Sequence, residues 1–283
     1  MLALEITAEE VQCGQMRPEH LTAAVEALQV DGFVVLKNVI EIAHLEILRE
    51  KMLQDVRTIL ERDDAPYNFN TSNIQQDPPP YPPYLFRDVL LNDMAVAVTR
   101  AILGPGVKNS FYSGNTALPS TLRQPVHVDS GQLWKNLEAA PPAYGLVVNV
   151  PVVDMSPANG STELWPGTHR DTTVSYDEDI KVPEAALEPR RAACAPFQPV
   201  VERGSLLIRD LRLWHAGMPN RTHQPRPMIA MIHYAGWMET GEPLRFPKGT
   251  EAFFAGSALK TCARFVDEPI DYINAPEAYD FSK

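Results

Sequence analysis

From about residue 108 onward the chain consists of short apolar runs separated by turn residues. They are NSFYSGNTAL (109–118), YGLVVNVPVVD (144–154), STELWPGTH (161–169), SLLIRDLRLWHAG (205–217) and PMIAMIHYAGW (227–237). Runs of this length, punctuated by Gly, Pro and Asn, predict an antiparallel β-barrel or double-sheet jelly roll. The first hundred residues are different. PEHLTAAVEALQVD (18–31) has Leu21, Val25 and Leu28 on one stripe, and 42–62 repeats apolar residues at three and four, so both predict helices. FVVLKNVI (33–40) reads as a buried strand, and a third helix is expected over 91–103, ending at Gly104-Pro105-Gly106. Helices first and strands later fit helices packed on one face of a β-rich core.

At 283 residues, 45% of them hydrophobic, the chain is long enough for one large domain. The reading is a single domain over 1–283. It comprises a helical N-terminal part with a lid loop (1–107), a jelly-roll core (108–240) with an insertion at 170–199, and a C-terminal extension (241–283), expected as a short helix and an extended segment. The stretch 66–84, PYNFNTSNIQQDPPPYPPY, is expected as an ordered loop or lid, because Pro-Pro-Pro continues neither a helix nor a ladder. A formal net charge of −11 argues against a nucleic-acid partner, since phosphate binding needs a basic face. Three scattered cysteines form no C-x-x-C pair, and the apolar runs are too short to span a membrane. The N-terminus does not read as a secretory signal. A cytoplasmic protein acting on a small molecule is the expectation, with homo-oligomerisation left open.

Within the β-rich part, His127-Val128-Asp129 is followed 88 residues later by His215 and 11 residues after that by Arg226. Two imidazoles and a carboxylate are the ligand set of the facial triad that holds non-haem Fe(II) and leaves positions open. His-X-Asp suits a strand, where residues i and i+2 share a face. Arg226 supplies a planar fork for a carboxylate, and as a charge beside an apolar strand it needs a partner. Taken singly these residues have plainer readings: a capping aspartate, a histidine closing a strand, a surface arginine. Two other histidines have a carboxylate at i+2. His44 and Glu46 lie on a helix, where such positions diverge. His169 and Asp171 are the real competitor, although Pro166-Gly167 before them favours a turn over extended backbone.

Four stretches resemble the phytanoyl-CoA dioxygenase family of iron- and 2-oxoglutarate-dependent oxygenases: ALQVDGFVVLKNVI, the HVD motif, VVDMSPANGSTELWPGTHR (152–170) and WHAGMPNRTHQPRPMI (214–229). The last two are the specific ones, because their spacings match over ten or more residues. The resemblance implies a jelly-roll fold with His127, Asp129 and His215 on Fe(II), Arg226 on the far carboxylate of 2-oxoglutarate, and His169 outside the iron site. It adds Thr162 as a hydroxyl support for that carboxylate, with Asn149 and Asn115 as weaker cosubstrate candidates. The implied reaction consumes O2, with ascorbate as an in vitro reductant, and releases succinate and CO2. It oxidises a C–H bond of a small or medium organic substrate by hydroxylation, desaturation or oxidative cyclisation, in specialised metabolism. Gln75, Gln76, Trp134, Tyr144 and Phe111 are candidate pocket residues, and the Pro-rich loop and the 170–199 segment are candidate lids. Asp129 stands where related halogenases have a small residue, which argues against chlorination. Lys108, Arg123 and Lys135 are too scattered to cradle coenzyme A. The competing reading is a cupin-like metal-binding isomerase or binding protein, which would have no use for Arg226.

Overall fold

A computed structural model describes residues 2–176 and 179–274. Its elements run β1 (Ala3–Glu5), α1 (Ala8–Cys13), α2 (Pro18–Val30), β2 (Phe33–Lys37), α3 (Ile42–Leu60), β3 (Tyr67–Asn68), β4 (Asn70–Gln75), α4 (Arg87–Leu90) and α5 (Asp93–Leu103). Then follow β5 (Lys108–Ala117), β6 (Gly145–Pro151), β7 (Glu163–Leu164), α6 (Glu184–Ala193), β8 (Leu206–Asp210), β9 (His215–Ala216), β10 (Met228–Tyr234), β11 (Leu244–Pro247), β12 (Lys260–Thr261) and β13 (Ala263–Val266). The helices expected over 18–31, 42–62 and 91–103 and the strands expected at 33–40 and in the five later runs are present, with ends set by local chemistry. The C-terminal tail, expected as a short helix and an extended segment, instead has a 3-10 turn over Glu251–Phe254 followed by β12 and β13. Residues 275–283 lie outside the described residues. Helix α5 starts at Asp93 and not at 91, because the Asn92 side chain accepts hydrogen bonds from the amides of Met94 and Ala95.

A nine-stranded sheet has the order β1-β2-β8-β6-β10-β5-β4-β3, with β12 also on β5. Alternation along its strands divides the residues between two faces. Val34, Leu36, Leu146, Val148, Val150, Leu206, Ile208, Ile229 and Met231 pack in one apolar cluster with Leu28 of α2, Leu45, Leu48 and Met52 of α3, and Met94 and Val98 of α5. The intervening residues point the other way, into the functional cavity. Register aligns them across strands: Val147 is opposite Arg209 and Ile232, Asn149 is opposite Leu207 and Ala230, and Gln75 is opposite Asn115. The fold is a jelly roll, with helices on the outer face of the larger sheet.

The second layer is smaller. β7 pairs with β9, and His127 bridges both His215 and Lys181. The 170–199 segment pairs with this layer at two places: Ile180 accepts from Val128 N, and Phe197 exchanges hydrogen bonds with Leu164. Val126, Val128, Trp165, Leu187 and Trp214 form the cluster behind it.

The 66–84 stretch departs from the expected loop. β3 and β4 make a hairpin within it, and β4 extends the large sheet as an antiparallel neighbour of β5. Its sequence, NTSNIQ, is polar because one face borders a polar cavity wall, so an apolar pattern cannot reveal it.

His233 lies on the helix-facing side of β10, fully enclosed, with Nδ1 2.9 Å from Thr99 Oγ1. Burial lowers its pKa to about 3, whereas an unfolded chain's histidine titrates near ~6.5. Between those values the unfolded state takes up a proton that the folded state refuses, so stability falls as pH drops through that window. His233→Asn should flatten the acid limb by about 1.4 kcal/mol per pH unit in urea unfolding at about pH 6 and pH 4. An unchanged limb would contradict a buried neutral imidazole.

Candidate metal centre

His127 and His215 face each other as a reciprocal backbone pair: each amide donates to the other's carbonyl at 2.9 Å. This narrow pairing brings the two rings to a centroid distance of 4.2 Å. Past Val128 the chain is caught again, because Asp129 N and Ser130 N both donate to the Leu211 carbonyl, at 3.1 and 3.2 Å. Asp129 is thereby turned to the same side as the two histidines. One donor atom from each of His127, Asp129 and His215 lies within 4.8 Å of the other two.

The donor chemistry fits a divalent metal. His127 Nδ1 lies 2.9 Å from the Pro125 carbonyl, and His215 Nδ1 lies 2.9 Å from the Leu213 carbonyl. A carbonyl can only accept, so both Nδ1 atoms carry the proton and both Nε2 lone pairs are free for an ion. Burial lowers the pKa of His127 to about 3, with the neighbouring His215 acting in the same direction, which keeps it an uncharged ligand. Burial would raise the Asp129 carboxyl, but the Arg209 guanidinium and the His215 imidazole hold it well below the usual carboxylate range. Two neutral nitrogens and one anionic oxygen suit Fe(II) and leave half of an octahedral shell vacant.

Arg226 is 1% exposed, and burial lowers its pKa to about 10. Its Nη2 donates to the Gly160 carbonyl at 2.8 Å, and its Nε approaches the Asn159 carbonyl at 3.4 Å. Nη1 is buried with no acceptor among the described residues. An orphaned guanidinium N–H is costly unless a ligand completes it, and a carboxylate has the right geometry. Gly160 is required here: it sits at φ +76°, and a Cβ on it would come 2.4 Å from the Met218 carbonyl.

A cavity of about 290 Å³ opens over the triad. Of the residues singled out from sequence, His127, Asp129, His215, Asn115, Asn149, Thr162, Gln75 and Phe111 line it. Arg226, just before β10, lies behind the lining with its guanidinium held by the carbonyls of Asn159 and Gly160, in the turn that leads to Thr162. Three pocket candidates are elsewhere. Trp134 is 55% exposed at the surface. Gln76 is turned into the core, donating to the Met52 carbonyl and accepting from Thr116 Oγ1. Tyr144 is buried behind the wall, its hydroxyl 2.7 Å from Ser130 Oγ and from the Gly131 carbonyl. His169, the competitor, sits in a 3-10 turn with Nε2 3.2 Å from the Gln29 carbonyl, apart from the triad.

Among the lining residues not singled out from sequence, two contact the metal ligands directly. Arg209 places Nη1 2.6 Å from Asp129 Oδ2, and its Nε donates to Asn149 Oδ1 at 3.3 Å. A cation inside LLIRDL was the available signal, since a charge in a strand covered on both faces needs a counter-charge. Phe69, at the tip of the β3–β4 hairpin, packs against the His127 ring at a centroid distance of 4.4 Å, the two planes tilted by 47°. Its backbone is left-handed at φ +67°, and the tip is pinned by Gln124, which donates to the Asn68 carbonyl and accepts from Gly217 N.

Comparison with known proteins agrees with this geometry. A curated relative, Dioxygenase af480 of Aspergillus fumigatus, is 28% identical over 154 residues. That alignment covers 53% of this chain and 44% of the relative, so the chain spans less than half of that protein's length. Among solved structures, AviO1 from Streptomyces viridochromogenes Tue57 superposes with a TM-score of 0.58 at 20% identity, over 78% of this chain and 97% of that one. EctD from S. alaskensis, crystallised with 2-oxoglutarate and 5-hydroxyectoine, gives 0.57 at 16% identity, over 78% and 76%. At those identities the likeness is one of fold. Residues 28–228, well over half of the chain, match the family described as phytanoyl-CoA dioxygenase (PhyH). The chain belongs to the phytanoyl-CoA dioxygenase family, whose members are iron- and 2-oxoglutarate-dependent dioxygenases.

Proposed function

We propose that this protein oxidises a C–H bond of a small or medium organic molecule, using Fe(II), 2-oxoglutarate and O2 and releasing succinate and CO2. The observation that carries the reading is the convergence of two free Nε2 atoms and one carboxylate at the floor of a single cavity, with an unfilled guanidinium N–H behind it. Chelated by 2-oxoglutarate, the iron supplies oxidative decarboxylation of the keto acid and the oxidising power for the C–H bond.

The protein supplies placement. His127, His215 and Asp129 hold one face of the ion and keep the other open. Arg226 receives the far carboxylate of the keto acid, and the Thr162 hydroxyl, two residues after the Gly160 carbonyl that holds Arg226, supports it. A guanidinium fixed by two backbone carbonyls selects keto-acid length, because it cannot follow a shorter or longer chain. Phe69, Phe111, Ile180, Leu211 and Ile232 make the walls apolar, which favours a substrate with substantial hydrocarbon surface and keeps water from the reacting carbon. Within the lining there is no cluster of cations of the kind a coenzyme A phosphate tail needs. The acyl-CoA substrate in the family's name is therefore not proposed for this chain.

Anaerobic addition of Fe(II) and then 2-oxoglutarate should produce a weak visible charge-transfer band that is lost in His215→Ala and Asp129→Ala. A metal-binding isomerase or binding protein would take up the metal without giving the band. Arg226→Met should weaken 2-oxoglutarate binding on the order of tenfold to a hundredfold, the range for a lost charge-assisted contact, and leave Fe(II) affinity nearly unchanged. Equal losses for both ligands would remove Arg226 from its role. Gly160→Ala should act in the same direction as Arg226→Met in a 2-oxoglutarate titration, since it displaces the carbonyl that seats the guanidinium; unaltered binding would show that this turn is not the seat.

A further inference from the structure

A site built for Fe(II) and 2-oxoglutarate needs the triad and one arginine, the role given to Arg226; Arg209 is a second arginine, and it faces the cavity. Among the described lining residues Arg209 is the one Lys or Arg, and Asp129 is the one carboxylate. Arg209 is buried, on a strand covered by β2 on one edge and β6 on the other. Once Asp129 also binds the metal, Arg209 shares its one lining counter-charge with the ion, and a buried guanidinium with a divided counter-charge favours a second anion.

The donors around Arg209 are also only partly used. Its contact with Asp129 is close, yet Nη1 makes no aligned hydrogen bond. Nε is taken by Asn149 Oδ1, which directs the Asn149 Nδ2 group away from the guanidinium. Among the described residues, no group accepts from Arg209 Nη2 or from Asn149 Nδ2. The two residues sit on adjacent strands and on the same face, between the metal ligands and the apolar wall of Val147, Ala230 and Ile232. This is a forked cation beside an amide donor, the arrangement that receives a carboxylate.

We propose that Arg209 and Asn149 anchor a carboxylate of the substrate itself, so that the molecule oxidised is a monoanionic organic acid with an apolar body. The inference rests on the 2-oxoglutarate reading above and narrows it. The anchor sets which carbon faces the open side of the ion: the acid group is held at Asn149 and the hydrocarbon part lies along Phe111, Leu211 and Ile232.

The test uses the full chain loaded with Co(II), a redox-quiet stand-in for Fe(II), and saturating 2-oxoglutarate. A library of small carboxylic acids, each paired with its primary amide, is screened by thermal shift, and hits are titrated by calorimetry. Acids should dominate the hits, and each should bind at least about tenfold more tightly than its amide. In Arg209→Met that preference should fall below about twofold, while Arg209→Lys, which keeps the charge but loses the fork, should fall between the wild type and Arg209→Met. Should Arg209→Met fail to hold Co(II), Asn149→Ala leaves the counter-charge of Asp129 in place and should still reduce the preference several-fold. Amides shifting the protein as often as acids, or a preference that survives loss of Arg209, would overturn the proposal. Failure of Co(II) and 2-oxoglutarate to stabilise the wild-type protein before any probe is added would instead overturn the underlying reading of the site.

Discussion

The reciprocal backbone pair between His127 and His215 is the contact from which the site is built. Two segments 88 residues apart in sequence become neighbours at one point, and both imidazoles project to the same side. The Leu211 carbonyl then takes the amides of Asp129 and Ser130, turning the carboxylate toward the rings. Each Nδ1 proton is absorbed by a carbonyl two residues earlier in its own chain segment, so the same backbone that positions the rings also selects their tautomer. Ligand geometry and ligand protonation thus have a single origin in the small sheet.

The large sheet does a different task. Its helix-facing side is an ordinary apolar core, and its inner side is a mixed wall in which hydrocarbon alternates with amides and one guanidinium. Polar groups on that wall are affordable only because they border a cavity where ligands complete them. Arg226 Nη1 and the open donors near Arg209 belong to this class: they are costly in an isolated chain and satisfied in a loaded one. The left-handed Phe69 at the hairpin tip is the corresponding backbone strain, located against a metal ligand as strained residues commonly are.

Much of this was legible in the sequence, and the parts that were not share a physical reason. Helices α2, α3 and α5 announce themselves by an apolar stripe of helical period, and strands β2, β5, β6, β8 and β10 by short runs bounded by turn residues. β4 does not, because NTSNIQ is polar throughout except for Ile74 and so offers no apolar run. For the same reason Phe69 was hidden in what reads as loop. The triad was found by spacing and ligand type, while Arg209 was passed over because the alternation in LLIRDLRLW is mixed and does not say which side faces a cavity. Trp134, Gln76 and Tyr144 lie outside the cavity lining: proximity along the chain to a motif carries no information about which way a side chain turns at a sheet boundary.

The central claim is that His127, Asp129 and His215 bind one iron atom on one side only, with a keto acid on the other and its tail on Arg226. Anomalous diffraction at the iron edge from crystals grown anaerobically with Fe(II) and 2-oxoglutarate tests it directly. The account predicts a single strong iron peak bounded by the two Nε2 atoms and one Asp129 oxygen, with the distal carboxylate of the keto acid hydrogen-bonded to Arg226 Nη1. An iron atom ligated elsewhere, or a fully protein-ligated centre with no room for the keto acid, would contradict it.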